Sequence, residues 1–258
     1  MKINFSKYQG TGNDFILIDN RNNFFPKENL KKIIEICDRK FGIGSDGLVL
    51  IEKSDRADFE MIFFNPDGSK SLCGNGSRCA VKFAYGLQLI GTNCSFLAHD
   101  GLHNAFINGN IIGIEMRDVE WVETYPDFIF LNTGSPHVIV FTDGLENLDV
   151  KSEGRKIRND VRFKSINGVN VNFINIKNET IHIRTYERGV EDETLSCGTG
   201  VTAAVLAASH QNLVKSKCNV VTRGGNLMVD CINHNNRIFT DIILSGPAEF
   251  IFEGTIEI

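Results

Sequence analysis

The sequence has no apolar run long enough to span a bilayer, and its first residues lack the apolar core of a secretory signal peptide. It has no excess of positive charge either, because the formal net charge is −5 at pH 7. These absences argue against a membrane protein and against an electrostatic surface for nucleic acid. We therefore expect a cytoplasmic globular protein with no membrane or nucleic-acid partner.

The cysteines lack the spacing of a metal site or of a disulfide framework. There are seven, no Cys-x-x-Cys pair occurs, and the closest two, Cys73 and Cys79, have five residues between them. An odd number of thiols in a reducing compartment is typical of small buried side chains. The residues to which we assign this structural role are Cys37, Cys79, Cys94, Cys218 and Cys231.

A comparison of the sequence with itself reveals a repeat. The segments that begin at Cys73 and Cys197 share Cys, Gly, Gly, Ala and Val at an offset of 124 positions. The segments around Thr11 and Thr133 match in the same order at an offset of 122. Collinear matches at nearly one offset indicate two homologous halves, the second of which starts near residue 119.

Short apolar and β-branched segments between Gly- and Asn-rich turns predict more strands than helices. Helices are predicted over 29–39 and, directly after each Cys-Gly-x-Gly turn, over 76–89 and 200–213. Because strands and helices do not alternate steadily, the pattern favours an α+β fold over a doubly wound sheet. The residues predicted to share the apolar face of the first helix are Leu30, Ile33, Ile34 and Cys37. The predicted strands cover 3–8, 15–19, 48–52, 59–64, 111–116, 128–131, 138–141, 171–176, 180–186, 219–222 and 226–229.

Each half places one cysteine directly before a predicted helix. The unpaired N–H groups and the dipole at a helix N-terminus favour a thiolate, and the glycines at 74, 76, 198 and 200 are expected to leave room for an anion. One such turn by itself is more often a glycine-rich cap with a buried cysteine. Two copies in duplicated halves favour a shared function. If a pseudo-twofold axis relates the halves, Cys73 and Cys197 face each other across their interface.

Two facing thiols fit the transfer of an α-proton of an amino acid. One thiolate removes the proton from one face of the carbon, and the other thiol supplies a proton to the opposite face. Backbone N–H groups that hold the carboxylate stabilise the charge that develops meanwhile. This chemistry needs no electron-sink cofactor, and Gly10-Thr11-Gly12 lacks the third glycine of a dinucleotide fingerprint. We expect neither a cofactor nor a metal.

The motifs resemble those of the diaminopimelate epimerase family along essentially the whole chain. The two cysteine motifs in this order are highly specific. One departure is Ser135, which stands where many members have Asn. The segments that carry the resemblance are Gly12-Asn13-Asp14-Phe15, Asn65-Pro66-Asp67-Gly68-Ser69, Cys73-Gly74-Asn75-Gly76, Gly134-Ser135-Pro136-His137, Gly168-Val169-Asn170, Glu187-Arg188-Gly189 and Cys197-Gly198-Thr199-Gly200.

The resemblance implies a PLP-independent isomerase that epimerises LL-2,6-diaminopimelate to the meso form, in bacterial lysine and peptidoglycan precursor synthesis. It implies two pseudo-twofold-related domains, each a strand-rich mixed sheet curled around a central helix. A C-terminal strand returns to the first domain, so the expected domains are 1–118 with 249–258, and 119–248. The expected partners are a small diamino diacid and, in a homodimer, a second copy of the chain.

The resemblance also implies site residues, with Cys73 and Cys197 as the acid–base pair. Arg188 is suited to the distal carboxylate, and Glu187 to the reacting ammonium group. We expect Ser135 and His137 near the site. The further substrate contacts are the side chains of Asn13, Asn65 and Asn170 and the backbone N–H groups of Gly74, Asn75, Gly198 and Thr199.

Structural alternatives exist for several of these residues. Asn65 is also suited to cap the turn before Asp67-Gly68, and His137 to be a hydrogen-bonded core histidine. Glu187 and Arg188 are alternatively a surface ion pair.

Alternative functions are a related cofactor-free amino-acid racemase, such as a proline racemase, and a redox or metal-binding cysteine protein. Against the racemase, Asn75 and the Glu187-Arg188 pair favour a diamino diacid. A degenerate binding paralogue is a third alternative, against which the intact motifs argue.

Overall fold

The structure is a computed structural model that describes residues 1–257; Ile258, the last residue of the C-terminal segment assigned to the first domain, lies outside the described residues. Contacts between residues divide the chain into two compact units. Unit one is residues 1–114 with the segment from Gly246, and unit two is Glu115–Ser245. The expected domain bounds, 1–118 with 249–258 and 119–248, follow from the repeat in the sequence. They stay a prediction, because the units above are defined by contacts alone.

Unit one is a mixed sheet with two helices. Its strands are β1 (Lys2–Gly10), β2 (Asn13–Asp19), β3 (Gly47–Glu52), β4 (Phe59–Phe64), β5 (Asn93–Ala98), β6 (Gly101–Asn108), β7 (Ile111–Glu115) and, near the C-terminus, β17 (Glu249–Glu257). Its helices are α1 (Leu30–Cys37) and α2 (Gly74–Gly86). Neighbouring strands follow the order β17-β1-β2-β3-β4-β5-β6-β7. Only β2 with β3 and β4 with β5 are parallel among these pairs.

Unit two is built in the same way. Its strands are β8 (Glu123–Thr124), β9 (Ile129–Asn132), β10 (Pro136–Phe141), β11 (Asn170–Lys177), β12 (Thr180–Glu187), β13 (Asp192–Thr194), β14 (Cys218–Thr222), β15 (Gly225–His234) and β16 (Ile238–Pro247). Its helices are α3 (Val150–Arg158) and α4 (Gly198–His210), and short 3₁₀ helices cover Leu145–Asn147 and Val161–Ile166. The order is β8-β9-β10-β11-β12-β14-β15-β16, with β13 added to β12.

The two units repeat one succession of strand directions. In each, two antiparallel pairs are followed by a parallel, an antiparallel, a parallel and two antiparallel pairs. Each parallel pair needs a crossover, and helices α1, α2, α3 and α4 lie in the four crossovers. The predicted α+β class and the internal duplication are confirmed.

The apolar face predicted for the first helix is partly wrong. Helix α1 begins after Asn29, whose side chain accepts the N–H of Lys32. Its buried residues are Ile33, Ile36 and Cys37, whereas Leu30 and Ile34 are 49% and 45% exposed. The sequence offers two overlapping apolar stripes, and packing on the core that includes Phe5 and Ile16 selects the one through Ile36.

One helix in each unit is enclosed by the sheet, as expected. Helix α2 contacts β1, β2, β3 and β4, and α4 contacts β9 to β12, β14 and β15. In α4 every residue from Gly200 to Ser209 is buried. A helix that is apolar on all sides is stable only when protein surrounds it. No helix among residues 1–257 has the length and apolar character to cross a membrane.

Candidate active site

The two cysteines singled out by the repeat occupy the same position in their units. Cys73 (φ −127°, ψ 112°) and Cys197 (φ −121°, ψ 110°) have extended backbones and are the N-cap residues of α2 and α4. Their carbonyls accept the N–H groups of Ser77, at 2.7 Å, and Val201, at 2.9 Å. Both helices therefore begin two residues before the predicted starts at 76 and 200, and each thiol lies at the positive end of a helix.

Different groups lie beside the two sulfur atoms. The Sγ of Cys73 accepts the backbone N–H of Gly76 at 3.4 Å. The Sγ of Cys197 lies 3.5 Å from the Oγ1 of Thr199. Both cysteines are half-buried, whereas the other five are buried. A donor that reaches a sulfur atom stabilises its thiolate form, so the Gly76 N–H and the Thr199 hydroxyl each support a thiolate.

Glycines 76 and 200 both lie against protein, and Gly200 is the more tightly enclosed. A Cβ at Gly76 would lie 3.6 Å from the rings of Phe15 and Phe63. A Cβ at Gly200 would lie 2.3 Å from the Oδ1 of Asn172. The absence of a side chain at Gly200 therefore permits close packing, whereas Gly76 has ordinary van der Waals contacts that leave room for a Cβ. Room for an anion at the glycines stays a prediction.

The first turns of α2 and α4 contain the residues whose backbone N–H groups are predicted to hold a carboxylate. Gly74 and Asn75 follow Cys73, and Gly198 and Thr199 follow Cys197, as the first two residues of each helix. Their N–H groups belong to the turn that has no acceptor within the helix. This geometry suits a carboxylate, as the sequence predicts.

In unit one the side chains of Asn75 and Asn13 are joined. The amide nitrogen of Asn75 donates to the Oδ1 of Asn13 at 2.6 Å, and the amide nitrogen of Asn13 donates to the Oδ2 of Asp46 at 2.9 Å. Asp46 also pairs with Arg39 at 2.6 Å. Because Asp46 directly precedes β3, and β3 is parallel to β2, its side chain reaches the start of β2, where Asn13 lies. No motif in the sequence indicates a role for Asp46 or Arg39.

Asn65 forms the turn that follows β4. Its amide nitrogen donates to the carbonyl and the hydroxyl of Ser69, at 3.2 and 3.0 Å, and to the hydroxyl of Ser71 at 3.0 Å. These contacts are the capping role that the structural alternative proposes. Among residues 1–257 no donor reaches its Oδ1, so that oxygen is the atom available to a ligand.

In unit two, Asn170 joins Ser135 to Arg188. The amide nitrogen of Asn170 donates to the Oγ of Ser135 at 2.8 Å, and its Oδ1 accepts the backbone N–H of Arg188 at 2.9 Å. The Nη2 of Arg188 lies 3.4 Å from the same serine oxygen. Three predicted site residues thus form one hydrogen-bonded group.

The guanidinium of Arg188 is held by backbone carbonyls. Its Nη1 donates to the carbonyls of Ile166 and Gly168, both at 3.1 Å. No carboxylate pairs with Arg188 in the part of the chain that the structure describes, so the alternative of an ion pair with Glu187 is not formed. Glu187 lies half-buried at the end of β12, opposite Asp192. An oriented guanidinium without a carboxylate is suited to bind one from a ligand.

His137 connects the core of unit two to the turn at Cys197. The amide nitrogen of Asn172 donates to the carbonyl of Val138 and to the Nδ1 of His137, at 3.1 Å each. The Oδ1 of Asn172 accepts the hydroxyl of Thr185 at 2.9 Å, which fixes the amide orientation. The Nδ1 is therefore an acceptor, so the Nε2 carries the proton and donates to the Oγ1 of Thr199 at 2.9 Å.

Burial keeps His137 neutral. Its side chain is fully buried, and burial, with a smaller effect from the charge of Arg188, lowers the pKa of His137 to about 3. Since Thr199 accepts the Nε2 proton, its own hydroxyl proton is available to the Sγ of Cys197. His137 is thus both a buried core histidine and one hydrogen bond away from the site.

Asn172 is a further residue near the site, and the sequence contains a signal for it that was not among the predictions. Asn170 and Asn172 are spaced by two within β11, so both side chains lie on one face of a strand that is buried along its first five residues. Polar side chains in a buried strand need partners, which indicates a network.

No group of three or more His, Cys, Asp or Glu residues that could hold a metal ion occurs in residues 1–257.

Comparison with known sequences places the chain beside one family along nearly its whole length. The sequence model described as diaminopimelate epimerase matches residues 5–104 and 129–251. A diaminopimelate epimerase of Flavobacterium psychrophilum is 52% identical over 256 residues, which are 97% of this chain and 98% of that protein. One of Aquifex aeolicus is 37% identical over 278 residues, which are 98% of each. The resemblance inferred from the motifs is confirmed.

Solved structures of other proteins have the same fold. A PhzF-family phenazine biosynthesis protein of Bacillus anthracis matches with a TM-score of 0.79 and 14% sequence identity over 100% of both chains. A hydroxyproline epimerase from Agrobacterium vitis, with bound trans-4-hydroxy-L-proline, matches with a TM-score of 0.69 and 14% identity over 99% of this chain and 92% of that chain. At these identities the likeness establishes the fold alone.

Proposed function

The chain belongs to the diaminopimelate epimerase family, and we propose that it converts LL-2,6-diaminopimelate into the meso form by proton transfer between two cysteines. The observation that carries the proposal is the matched position of Cys73 and Cys197, each half-buried at the N-cap of the enclosed helix of its unit. Lysine and peptidoglycan precursor synthesis is the metabolic setting that this reaction serves.

The chemistry consists of two proton transfers at one carbon. The thiolate of one cysteine removes the α-proton and becomes a thiol, while the other thiol delivers its proton to the opposite face and becomes a thiolate. The configuration of the carbon is inverted, and no atom is gained or lost. Since each turnover exchanges the protonation states of Cys73 and Cys197, the same pair runs the reverse reaction.

Holding the substrate is the task of the groups around each thiol. The N–H groups of the first turns of α2 and α4 suit the reacting carboxylate, where negative charge develops as the proton leaves. The lack of a carboxylate partner supports Arg188 as the group that binds the distal carboxylate. Glu187 is our candidate for the reacting ammonium group. The other proposed contacts are Asn13, Asn65, Asn75, Asn170, Gly74, Gly198 and Thr199, with Ser135 and His137 behind them.

Solvent deuterium incorporation tests the proposal. LL-diaminopimelate is incubated in deuterated water with the wild type, with Cys73→Ala and with Cys197→Ala. We expect α-deuterium in the meso product of the wild type and no epimerisation by either variant. Cys94→Ala, which removes a buried thiol of β5, is the matched control and is expected to keep activity. Full activity of Cys73→Ala would refute the assignment.

An assay on proline separates the proposal from its nearest alternative. A proline racemase acts on a substrate with a single carboxylate, which leaves Arg188 without a distal group to bind. We therefore expect activity on diaminopimelate and none on proline. Faster turnover of proline would favour the racemase.

A homodimer is part of the proposal. Strand β17 pairs with β1, and Phe250, Ile251 and Phe252 on β17 are each about half exposed, at 53%, 49% and 46%. An exposed apolar strand is a candidate surface for a second chain. Sedimentation velocity of the wild type and of Ile251→Lys tests this, with a dimer and a monomer as the expected results.

A cytoplasmic location is proposed on the state of the thiols. Cys37, Cys79, Cys94, Cys218 and Cys231 are buried and outside any disulfide, as is usual in a reducing compartment. Cell fractionation, with recovery in the cytoplasmic fraction, is the test.

A further inference from the structure

Arg78 is a fully buried arginine beside the proposed site in unit one. It lies in α2, has 0% of its surface exposed, and is among the largest buried side chains. Its Nη2 donates to the Oδ1 of Asn75 at 2.8 Å and to the Oγ1 of Thr11 at 2.9 Å, and its Nε donates to the carbonyl of Pro247 at 3.3 Å. Within residues 1–257, its Nη1 has no hydrogen-bond partner and no carboxylate pairs with it.

Such a charge is costly for the fold. A buried ion without a counter-ion loses its hydration, and the same burial lowers the pKa of Arg78. The second copy of the repeat does not share this cost. At the matching position of α4, also offset by 124 from Arg78, stands Thr202, whose hydroxyl donates to the carbonyl of Gly198 at 3.0 Å. The enclosed helix therefore does not need an arginine at this position.

We propose that Arg78 is a positioning residue, whose guanidinium fixes the side-chain amides of Asn75 and Asn13 and holds a positive charge beside Cys73. The inference rests on the proposed function in one respect, which is that Cys73 reacts as a thiolate. It goes beyond the family's substrate contacts, because Arg78 has no solvent-exposed surface through which it could touch a substrate.

The first part of the role follows from the direction of the hydrogen bonds. Because Arg78 only donates, it requires the oxygen of Asn75 on its side, and the nitrogen of Asn75 then points to the oxygen of Asn13. The nitrogen of Asn13 is in turn required by Asp46, which only accepts. A cation at one end and a carboxylate at the other thus prevent either amide from flipping. The proposed substrate contacts are oriented before a substrate arrives.

The second part follows from the charge. The Nη2 of Arg78 bonds the side chain of Asn75, which lies in the first turn of the helix that Cys73 caps. From this place its charge attracts the thiolate forms of both Cys79 and Cys73. Cys79 is fully buried, and burial raises its pKa, so it stays a thiol. The charge therefore acts in practice on Cys73, which is half-buried. Unit two has a threonine at the equivalent position, so this stabilisation belongs to Cys73 alone.

Alkylation of Cys73 tests the role without any substrate. In a Cys197→Ala background, the rate of reaction of Cys73 with iodoacetamide is measured from pH 5 to 9 by peptide mass spectrometry. We expect Arg78→Met to move the profile to higher pH and to lower the rate at pH 7 about tenfold. Arg78→Lys keeps the charge and is expected to restore the rate to within about threefold of the parent. Thr202→Val, the matched buried helix position of unit two, should leave the Cys73 profile unchanged.

Each result of these experiments either supports or overturns the role of Arg78. An unchanged Cys73 profile in a folded Arg78→Met protein, or an equal loss in Thr202→Val, overturns the inference. If circular dichroism shows that Arg78→Met does not fold, Arg78→Lys is tested instead, in the protein that retains Cys197. A lysine keeps the positive charge but lacks the planar guanidinium that bonds both Asn75 and Thr11, so it loosens the amides and leaves the charge in place. The inference is then supported if the KM for diaminopimelate rises at least about fivefold while Cys73 is alkylated at the wild-type rate. A smaller change in KM overturns it. A shifted alkylation profile together with no epimerase activity of the wild-type protein would refute the proposed function and leave the effect of Arg78 on Cys73 intact.

Discussion

Gly200 and Asn172 touch so closely that any side chain at residue 200 would occupy the place of the Asn172 Oδ1, which lies 2.3 Å from an added Cβ. That oxygen accepts the hydroxyl of Thr185, and the amide nitrogen beside it binds His137. The glycine of the second cysteine motif therefore protects a buried network as well as the helix start.

We expect Gly200→Ala to destabilise the protein by about 1–3 kcal/mol, because the alanine displaces the Asn172 amide in a packed interior. Gly76→Ala is the matched control at the same position of the repeat. Its nearest contact is 3.4 Å, so its cost should stay below about 1 kcal/mol. Urea unfolding of both variants measures the difference, and equal losses would contradict the role of Asn172.

The hydroxyl of Thr199 is predicted to matter for Cys197. Thr199→Val removes both the acceptor for His137 and the donor at 3.5 Å from the sulfur. We expect alkylation of Cys197 at pH 7 to slow about threefold to tenfold, because a hydrogen bond to the thiolate is lost. Thr199→Ser keeps the hydroxyl and should react as the wild type does. If Ser and Val slow the reaction equally, the packing of the methyl group, and not the hydroxyl, is responsible.

His137 makes stability depend on pH. Its pKa is about 3 in the folded protein and 6.5 for the unperturbed side chain. Between these values the unfolded chain binds more protons than the folded one, so the free energy of unfolding decreases as the pH falls below 6.5. This group contributes a slope of up to about 1.4 kcal/mol per pH unit.

The variant His137→Gln keeps a polar side chain and removes the titration. We expect its free energy of unfolding, measured in urea from pH 4.5 to 6.5, to fall less steeply than that of the wild type. The absolute stability of the variant does not enter the comparison. Identical slopes would mean that His137 is protonated in the folded protein.

Native alkylation should distinguish the seven cysteines. Burial raises the pKa of the thiols of Cys37, Cys79, Cys94, Cys218 and Cys231. Cys73 and Cys197 are half-buried at helix N-termini. A short exposure to iodoacetamide at neutral pH is expected to label these two and spare the other five, as read by peptide mass spectrometry. After unfolding in urea all seven should be labelled, which controls for reagent access.

The sequence predicted most of the elements near the cysteines and missed others. The strands over 15–19, 48–52 and 59–64 were found because they are short, continuous apolar runs. The elements that were missed are strands β5, β6, β8, β13 and β16 and helix α3. In α3 only Val150 and Gly154 are buried, so its sequence shows little of the apolar stripe on which helix prediction depends.

The sequence by itself determined the family, the duplication and the two cysteines, because each is written as a local pattern that repeats at one offset. Only the tertiary structure decided which partner each polar side chain has. In the fold the amide nitrogen of Asn65 bonds within its own turn, and that of Asn13 bonds Asp46. Arg78 is buried without a counter-ion among the described residues. These contacts join residues distant along the chain, and their energies depend on burial and direction. No local spacing encodes either quantity, which is why the network around each thiol was visible only in the fold.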